Sequence, residues 1–366
     1  MRAKATTRRR ATTKTPVAAA EAGFAGRLLA WFDRHGRHDL PWQHPRSPWR
    51  VWVSEIMLQQ TQVATVIAYF ERFMTRFPTP AAMAGASADE VLALWSGLGY
   101  YSRARNLHAA AQRVAREHGG EVPADFDALL ALPGIGASTA AAICAQAFGQ
   151  RRAILDANVK RVLARHAGVE GWPGRSPVTR RLQAEADARL PERRLADYTQ
   201  AIMDLGARLC TPRNPSCAEC PVAADCVAHR ERRTTELPAA KPRRGRPERS
   251  AFLLLIARED GCIWLERRPP AGIWGGLWAP PIVEAADAAS LAAMGLRPRQ
   301  QPPPEPLRHG FTHFVWQLQP LPCAVIDSPA GLREDRGAWH TISDAQALGL
   351  PAPIRRLLES LEEPPS

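Results

Sequence analysis

A chain of 366 residues, 45% hydrophobic and 23% charged, has ordinary globular composition and is long enough for a sizeable core and two folded units. The 48 Lys and Arg against 36 Asp and Glu leave a net charge of +12, which favours an anionic polymer as partner, nucleic acid before a membrane surface. No apolar run approaches the ~18 residues of a membrane span and no secretory segment is visible, so the expectation is a soluble, intracellular protein.

Residues 1–16 carry six basic residues and no acid; with only Thr and Ala between them they read as a disordered basic arm. From residue 17 to about 230 the pattern is helical. Ser47-Pro48 predicts a helix start, and Trp49, Trp52, Val53, Ile56 and Met57 form one apolar stripe behind it. A second stripe runs through Val63, Val66, Ile67, Phe70, Phe73, Met74 and Phe77 to Pro78. Thr61 is a candidate cap for that second helix, which leaves Gln59 and Gln60 in a tight break. Glu55 falls off the first stripe, on the side of Gln59. A solvated position is the ordinary reading, but its apolar neighbours make burial plausible, and burial would raise its pKa toward general-acid use.

Leu132-Pro133-Gly134-Ile135-Gly136 joins two helical stretches. Its glycines permit a turn, and the amides opening the helix near Ser138-Thr139 form an anion site suited to a DNA phosphate. Asp156 follows the apolar Ala153-Ile154-Leu155 and reads as an N-cap, a place where the helix dipole keeps a carboxylate ionised. Residues 231–249 are rich in Pro, Arg and Lys and read as a linker. Beyond it, strands at Ala251–Ile256, Ile263–Leu265 and Phe314–Leu318 and an amphipathic helix near Pro353–Leu361 predict a second, α+β domain.

Four of the seven cysteines, Cys210, Cys217, Cys220 and Cys226, fall within seventeen residues. Clustered thiolates in an intracellular chain converge on a metal, and ligand type alone allows zinc or an iron–sulfur centre. The spacing of six, two and five residues between them resembles the [4Fe–4S] loop of the endonuclease III superfamily of DNA glycosylases, and the choice of iron rests on that resemblance. The Pro-Gly-Ile-Gly hairpin with Asp156 some twenty residues on resembles the same helix–hairpin–helix enzymes.

SEIMLQQTQV, WSGLGYYSRARNLH, LPGIG, ILDANVKRVLAR and MDLGARLC together make residues 20–230 resemble MutY-type adenine DNA glycosylases. RRPPAGIWGGLWAPP and RHGFTHFVWQL make residues 250–356 resemble the MutT-like domain of that family. The resemblance implies a multidomain fold, an all-α helix–hairpin–helix catalytic domain with an iron–sulfur loop and an α+β Nudix/MutT-like lesion-recognition domain over 250–366. It implies that Glu55 protonates adenine, that Asp156 stabilises or traps the sugar cation, and that Asn158 helps hold the geometry. Gln59, Gln60 and Tyr100 would meet the DNA at the lesion, the last two entering the base stack as adenine is flipped out. Pro133, Gly134, Gly136 and Ser138 would lie along the DNA. Phe311, Thr312 and His313 would contact 8-oxoguanine, Thr312 standing where the family has Ser.

Bifunctional relatives carry a nucleophilic Lys where this chain has Ser138, so base removal without strand cleavage is expected. The second domain lacks the Glu-rich stretch of a Nudix hydrolase, offering only Glu284, so no pyrophosphate hydrolysis is expected. The partner implied is double-stranded DNA with adenine opposite 8-oxoguanine or guanine, bound by a monomeric, cytoplasmic, nucleoid-associated protein, with other repair proteins as further partners. Two alternatives are a glycosylase/lyase for oxidised pyrimidines and a non-catalytic iron–sulfur DNA-binding protein.

Overall fold

The computed structural model describes residues 23–242, 245–269, 272–311, 313–326 and 335–362. The basic arm and Thr312 lie outside these. Tertiary contacts divide the chain into two compact units, one comprising residues up to Val51 with Gly136–Lys241, the other Trp52–Ile135 with Pro242–Ser366. No helix among the described residues is long and apolar enough to cross a membrane.

The first unit is helical: Phe24–His35, Ala137–Phe148, Ala157–His166, Ser176–Ala188 and Leu195–Asp204, the last running into a π-helical turn, Leu205–Leu209. Every residue from Thr139 to Gln146 is buried, as expected of a helix with no solvated face at the centre of its unit. Its small alanines let neighbouring helices approach. It stops at Gly149, whose left-handed φ of 63° closes the C-terminus at no steric cost. Asp204, fully buried, is enclosed by donors: Arg37 N at 2.8 Å, its Nε at 2.9 Å and Nη2 at 2.6 Å, and Gln200 Nε2 at 2.7 Å. Such saturation offsets the cost of placing a carboxylate in an interior.

In the second unit, the helical part holds Val63–Arg76, Pro80–Ala84, Ala88–Leu94, Ser102–Glu117 and Phe126–Leu130 around Trp52, Phe70, Phe73, Phe77 and Trp95, all fully buried. Thr79, Ser87 and Asp125 cap its short helices by accepting backbone N–H groups. The rest is built on a five-stranded mixed sheet and a three-stranded one. In the larger, β1 (Glu248–Ile256) runs parallel to β7 (Val315–Val325), with Leu253 opposite Pro320. On the outer edges β4 (Ile282–Val283) pairs with β1 and β5 (Leu296–Pro298) with β7, while β6 (Leu307–Gly310) also pairs with β7. The smaller sheet orders β3 (Trp278–Ala279), β2 (Ile263–Arg267) and β8 (Gly337–His340). The amphipathic helix Ala352–Glu362 covers this core with Ile354, Leu357 and Leu358.

One sequence expectation needs correction. The chain breaks at Gln59-Gln60 as expected, but Thr61 does not cap the second helix. Gln62 occupies the cap position without a side-chain bond, and the Thr61 hydroxyl faces the Gln59 carbonyl instead. The Pro- and Arg-rich stretch 231–249 makes defined contacts at two described points. Leu237 is buried and its carbonyl accepts from Arg165 Nε at 2.9 Å, and β1 already begins at Glu248.

Candidate active site and metal centre

Asp156 is fixed by local chemistry. The buried Ala153, Ile154 and Leu155 deliver it to the start of the helix Ala157–His166, where its Oδ1 accepts the Val159 N–H at 2.7 Å. Burial pushes the carboxyl above the ordinary carboxylate range, against the backbone N–H groups of Val159 and Asn158 and the nearby Arg161, which pull it down. The dipole and cap alone predict an easily ionised acid; desolvation reverses the net direction. One residue earlier, the Leu155 N–H donates to Ser138 Oγ at 3.3 Å. Ser138 therefore lies beside the Asp156 backbone, with its hydroxyl engaged.

Asn158 is joined to the cysteine loop by one side chain. Arg161 Nη2 donates to Asn158 Oδ1 at 3.0 Å and to the Gly206 carbonyl at 2.7 Å, while its Nε donates to the Cys210 carbonyl at 2.8 Å. Gly206 allows this approach, since a Cβ there would lie 2.8 Å from Asn158 Cβ. One turn on, the buried Arg165 donates to Cys210 Sγ at 3.4 Å, to the Thr211 carbonyl at 2.7 Å and to the Pro212 carbonyl at 3.1 Å. Sequence reading gave no role to Arg161, Arg165 or Gly206. Their only signal was membership of helical strings, and burial of an arginine cannot be read from a hydropathy pattern.

Cys210, Cys217, Cys220 and Cys226 line a single cavity with Val162, Leu205, Leu209 and Val222. Burial raises the thiols of Cys217, Cys220 and Cys226, that of Cys220 to about 11. Among the described residues no three His, Cys, Asp or Glu side chains converge tightly enough to hold a single ion. Four thiols around one apolar cavity offer the soft sulfur ligands of an iron–sulfur cluster.

The other sequence-predicted residues, Gly136 apart, belong to the second unit. Glu55 lies half-buried between the buried Ser54 and Ile56 on the helix Pro48–Leu58. Gln59 is half-buried and Gln60 exposed, the latter with φ of 58°. Tyr100 has φ of 49° and is 51% exposed, large for an aromatic side chain. At the hairpin, Pro133 is half-buried and Gly134 has φ of 79°, and a Cβ on Gly134 would meet Asn106 Cβ at 2.7 Å. Gly136, exposed, precedes the helix Ala137–Phe148 as its N-cap, so no side-chain cap covers the amides that open that helix. Phe311 stacks on Phe314 at 4.8 Å within an aromatic group that includes Trp274 and Trp316, whereas His313 is exposed.

Residues 53–187 match the HhH-GPD superfamily of base excision DNA repair proteins, 210–226 the iron–sulfur binding domain of endonuclease III, and 252–360 the NUDIX domain. The chain is 31% identical over 343 residues to an adenine DNA glycosylase of Buchnera aphidicola, covering 93% of this chain and 98% of that one. It is 43% identical over 234 residues to human adenine DNA glycosylase, 62% of this chain and 43% of the human one. Over 197 residues it is 45% identical to that of Mycobacterium tuberculosis, covering 53% and 64%. Among solved structures, a thermostable thymine-DNA glycosylase superposes with a TM-score of 0.53 at 29% identity, covering 57% of this chain and 95% of that one. The cofactor that these matches and the four-thiol cavity identify is a [4Fe–4S] cluster. Aligned with its relatives through both its helical and its NUDIX portions, the chain belongs to the adenine DNA glycosylases of the HhH-GPD superfamily.

Proposed function

We propose that this DNA glycosylase hydrolyses the N-glycosidic bond of adenine paired with 8-oxoguanine, and of adenine paired with guanine, leaving the strand uncut. Asp156 carries the reading: a carboxylate held at a helix N-terminus by Val159 N–H at 2.7 Å, in a chain that aligns with adenine DNA glycosylases over 93% of its length. Breaking a purine N-glycosidic bond requires a proton for the departing base and negative charge for the cation left on the sugar. Glu55 supplies the proton, Asp156 the charge, and Asn158, braced by Arg161, keeps the helix start in place. Gln59, Gln60 and Tyr100 meet the duplex at the lesion, Gln60 and Tyr100 entering the stack vacated by adenine. Pro133, Gly134, Gly136 and the amides behind them hold a phosphate. Phe311 and His313, with Thr312 between them, contact the 8-oxoguanine.

Cys210, Cys217, Cys220 and Cys226 are the cluster ligands. When bound, the cluster cross-links four points of the loop, and Arg208, in the turn before it, and Arg213 on it face the DNA backbone. In domain terms, residues 17–230 form the catalytic domain, 231–249 the linker and 250–366 the lesion-recognition domain. The protein works as a monomer in the bacterial cytoplasm, on nucleoid DNA. Replacing Cys217 or Cys220 by Ser is expected to lower both iron content and DNA affinity, as iron and sulfide analysis of anaerobically purified protein and duplex titrations will measure. Stoichiometric zinc in place of iron would overturn the ligand assignment.

Ser138 tests the uncut-strand part. Its hydroxyl cannot form a Schiff base with the opened sugar, whereas a lysine amine there can. Ser138→Lys should gain a borohydride-trappable complex and some nicking, with slower adenine release. Wild type should leave an abasic strand that breaks only in alkali or heat. Equal trapping by the two proteins would remove Ser138 from the lyase position, with Lys160 as a source of background trapping in both.

A further inference from the structure

Arg103 has no role in the reaction as described, yet its surroundings are unusual. It is 8% exposed, and no carboxylate among the described residues offsets it. Burial lowers its pKa to about 10, so it remains a cation at neutral pH. A buried guanidinium is costly unless its donors are used; here both terminal nitrogens are engaged, while Nε has no partner. Nη1 donates to the carbonyls of Ile56 and Met57, each at 2.8 Å, and of Gln59 at 2.6 Å. Nη2 donates to Thr61 Oγ1 and to the carbonyls of Leu98 and Gly99, each at 3.2 Å. The guanidinium carbon also lies 5.4 Å from the Trp95 ring and 5.5 Å from the Tyr100 ring, within range of a cation–π attraction.

These acceptors belong to two segments far apart in sequence. Ile56, Met57 and Gln59 lie at or just beyond the C-terminus of the helix Pro48–Leu58, where carbonyls lack helical partners and the dipole favours a cation. Leu98 and Gly99 immediately precede Tyr100. The residues after two of the held carbonyls, Gln60 after Gln59 and Tyr100 after Gly99, are among the few described non-glycine residues with positive φ, 58° and 49°. L residues disfavour that conformation, and it persists only where the surroundings over-determine it.

We infer that Arg103 is a positioning residue that ties the two turns together, so that Gln60 and Tyr100 project as a preformed pair before DNA arrives. The inference rests on the reading above that these two side chains enter the duplex. A preformed pair spares the enzyme the ordering of two loops at the moment the base stack is opened. A lysine keeps the charge but supplies three donors from one point, and cannot span acceptors on both segments as a planar fork does.

The test compares Arg103→Lys with Gln60→Ala, Tyr100→Ala and their combinations, in the full-length, cluster-loaded protein. Single-turnover adenine release is measured on a fully paired 8-oxoguanine:adenine duplex and on one with unpaired bases on both sides of the adenine. On the paired duplex, Arg103→Lys should slow release about tenfold alone, and add less than about twofold once Gln60 and Tyr100 are already alanine, as coupled sites do. On the loosened duplex most of its defect should vanish, because the stack no longer needs to be forced open, whereas a general loss of structure would slow both substrates alike. Thr61→Ala, which removes one acceptor and leaves the apolar core intact, should show the same substrate dependence in milder form and covers the case in which Arg103→Lys folds poorly. Additive losses, or equal losses on both duplexes, overturn the inference about Arg103 alone. Normal rates in both Gln60→Ala and Tyr100→Ala overturn the entry of those side chains into the duplex, and the inference with it.

Discussion

Glu55→Gln is expected to abolish adenine excision while duplex affinity stays near wild type. The substitution keeps size and shape and removes the dissociable proton. Without it, adenine must leave as an anion, and loss of a positioned general acid costs about 10²–10⁴-fold in rate. Glu55 lies half-buried on a helix whose neighbouring Trp52, Val53, Ile56 and Met57 are buried, so an isosteric change there should leave packing undisturbed. Single-turnover rates and binding titrations on the same 8-oxoguanine:adenine duplex separate the two effects. Excision within a few fold of wild type would remove Glu55 from the acid role.

Asp156→Asn should be impaired by about 10²–10³-fold, the usual loss when a group aimed at developing charge is neutralised. The amide still caps the helix, since Asn serves there as well as Asp, so the defect belongs to chemistry and not to folding. Stability makes the point sharper. Burial raises the Asp156 pKa in the folded state, so the folded protein holds this proton more tightly than the unfolded chain does. The stability that the protonated acid allows is full below the unfolded-state pKa and is lost as pH rises through the higher folded value. Asp156→Asn escapes that loss, and should melt at or above the wild-type temperature at pH 7 despite its inactivity. For the wild type the same shift moves the acid limb of the rate profile above the ordinary carboxylate pKa of 3.8, because only ionised Asp156 stabilises the cation. A strongly destabilised Asn variant, or a fewfold loss of rate, would count against the assignment.

Much of this was legible in the sequence because it is written in local rules. Ser47-Pro48 starts a helix, with the Arg50 N–H donating to Ser47 Oγ at 3.3 Å, and the apolar stripe behind it is buried as the periodicity requires. Asp156 caps its helix for the reason its position suggested. Strands β1, β2 and β7 appear where β-branched and aromatic residues cluster, each longer than its apolar core because ladder pairing continues past the hydrophobic residues. Less legible was anything set by long-range contact. Thr61 fails as a cap because its hydroxyl is drawn to the Gln59 carbonyl and to Arg103. Arg103 and Arg165 are buried and Arg161 half-buried against partners 44, 72 and 45 residues away, and in a hydropathy pattern they look like solvated charges. The upward pKa of Asp156 likewise reflects tertiary desolvation, against which its local sequence predicts the opposite sign.

The most direct measurement is a single-turnover assay with excess enzyme on duplexes bearing one adenine opposite 8-oxoguanine, one adenine opposite guanine, or one thymine opposite guanine, each analysed with and without alkali. The expected result is adenine release, fastest opposite 8-oxoguanine and slower opposite guanine, with the product strand intact until alkali cleaves it and the thymine duplex untouched. Failure to release adenine opposite 8-oxoguanine, release of thymine instead, or strand cleavage without alkali would contradict an adenine-specific enzyme that leaves the strand whole.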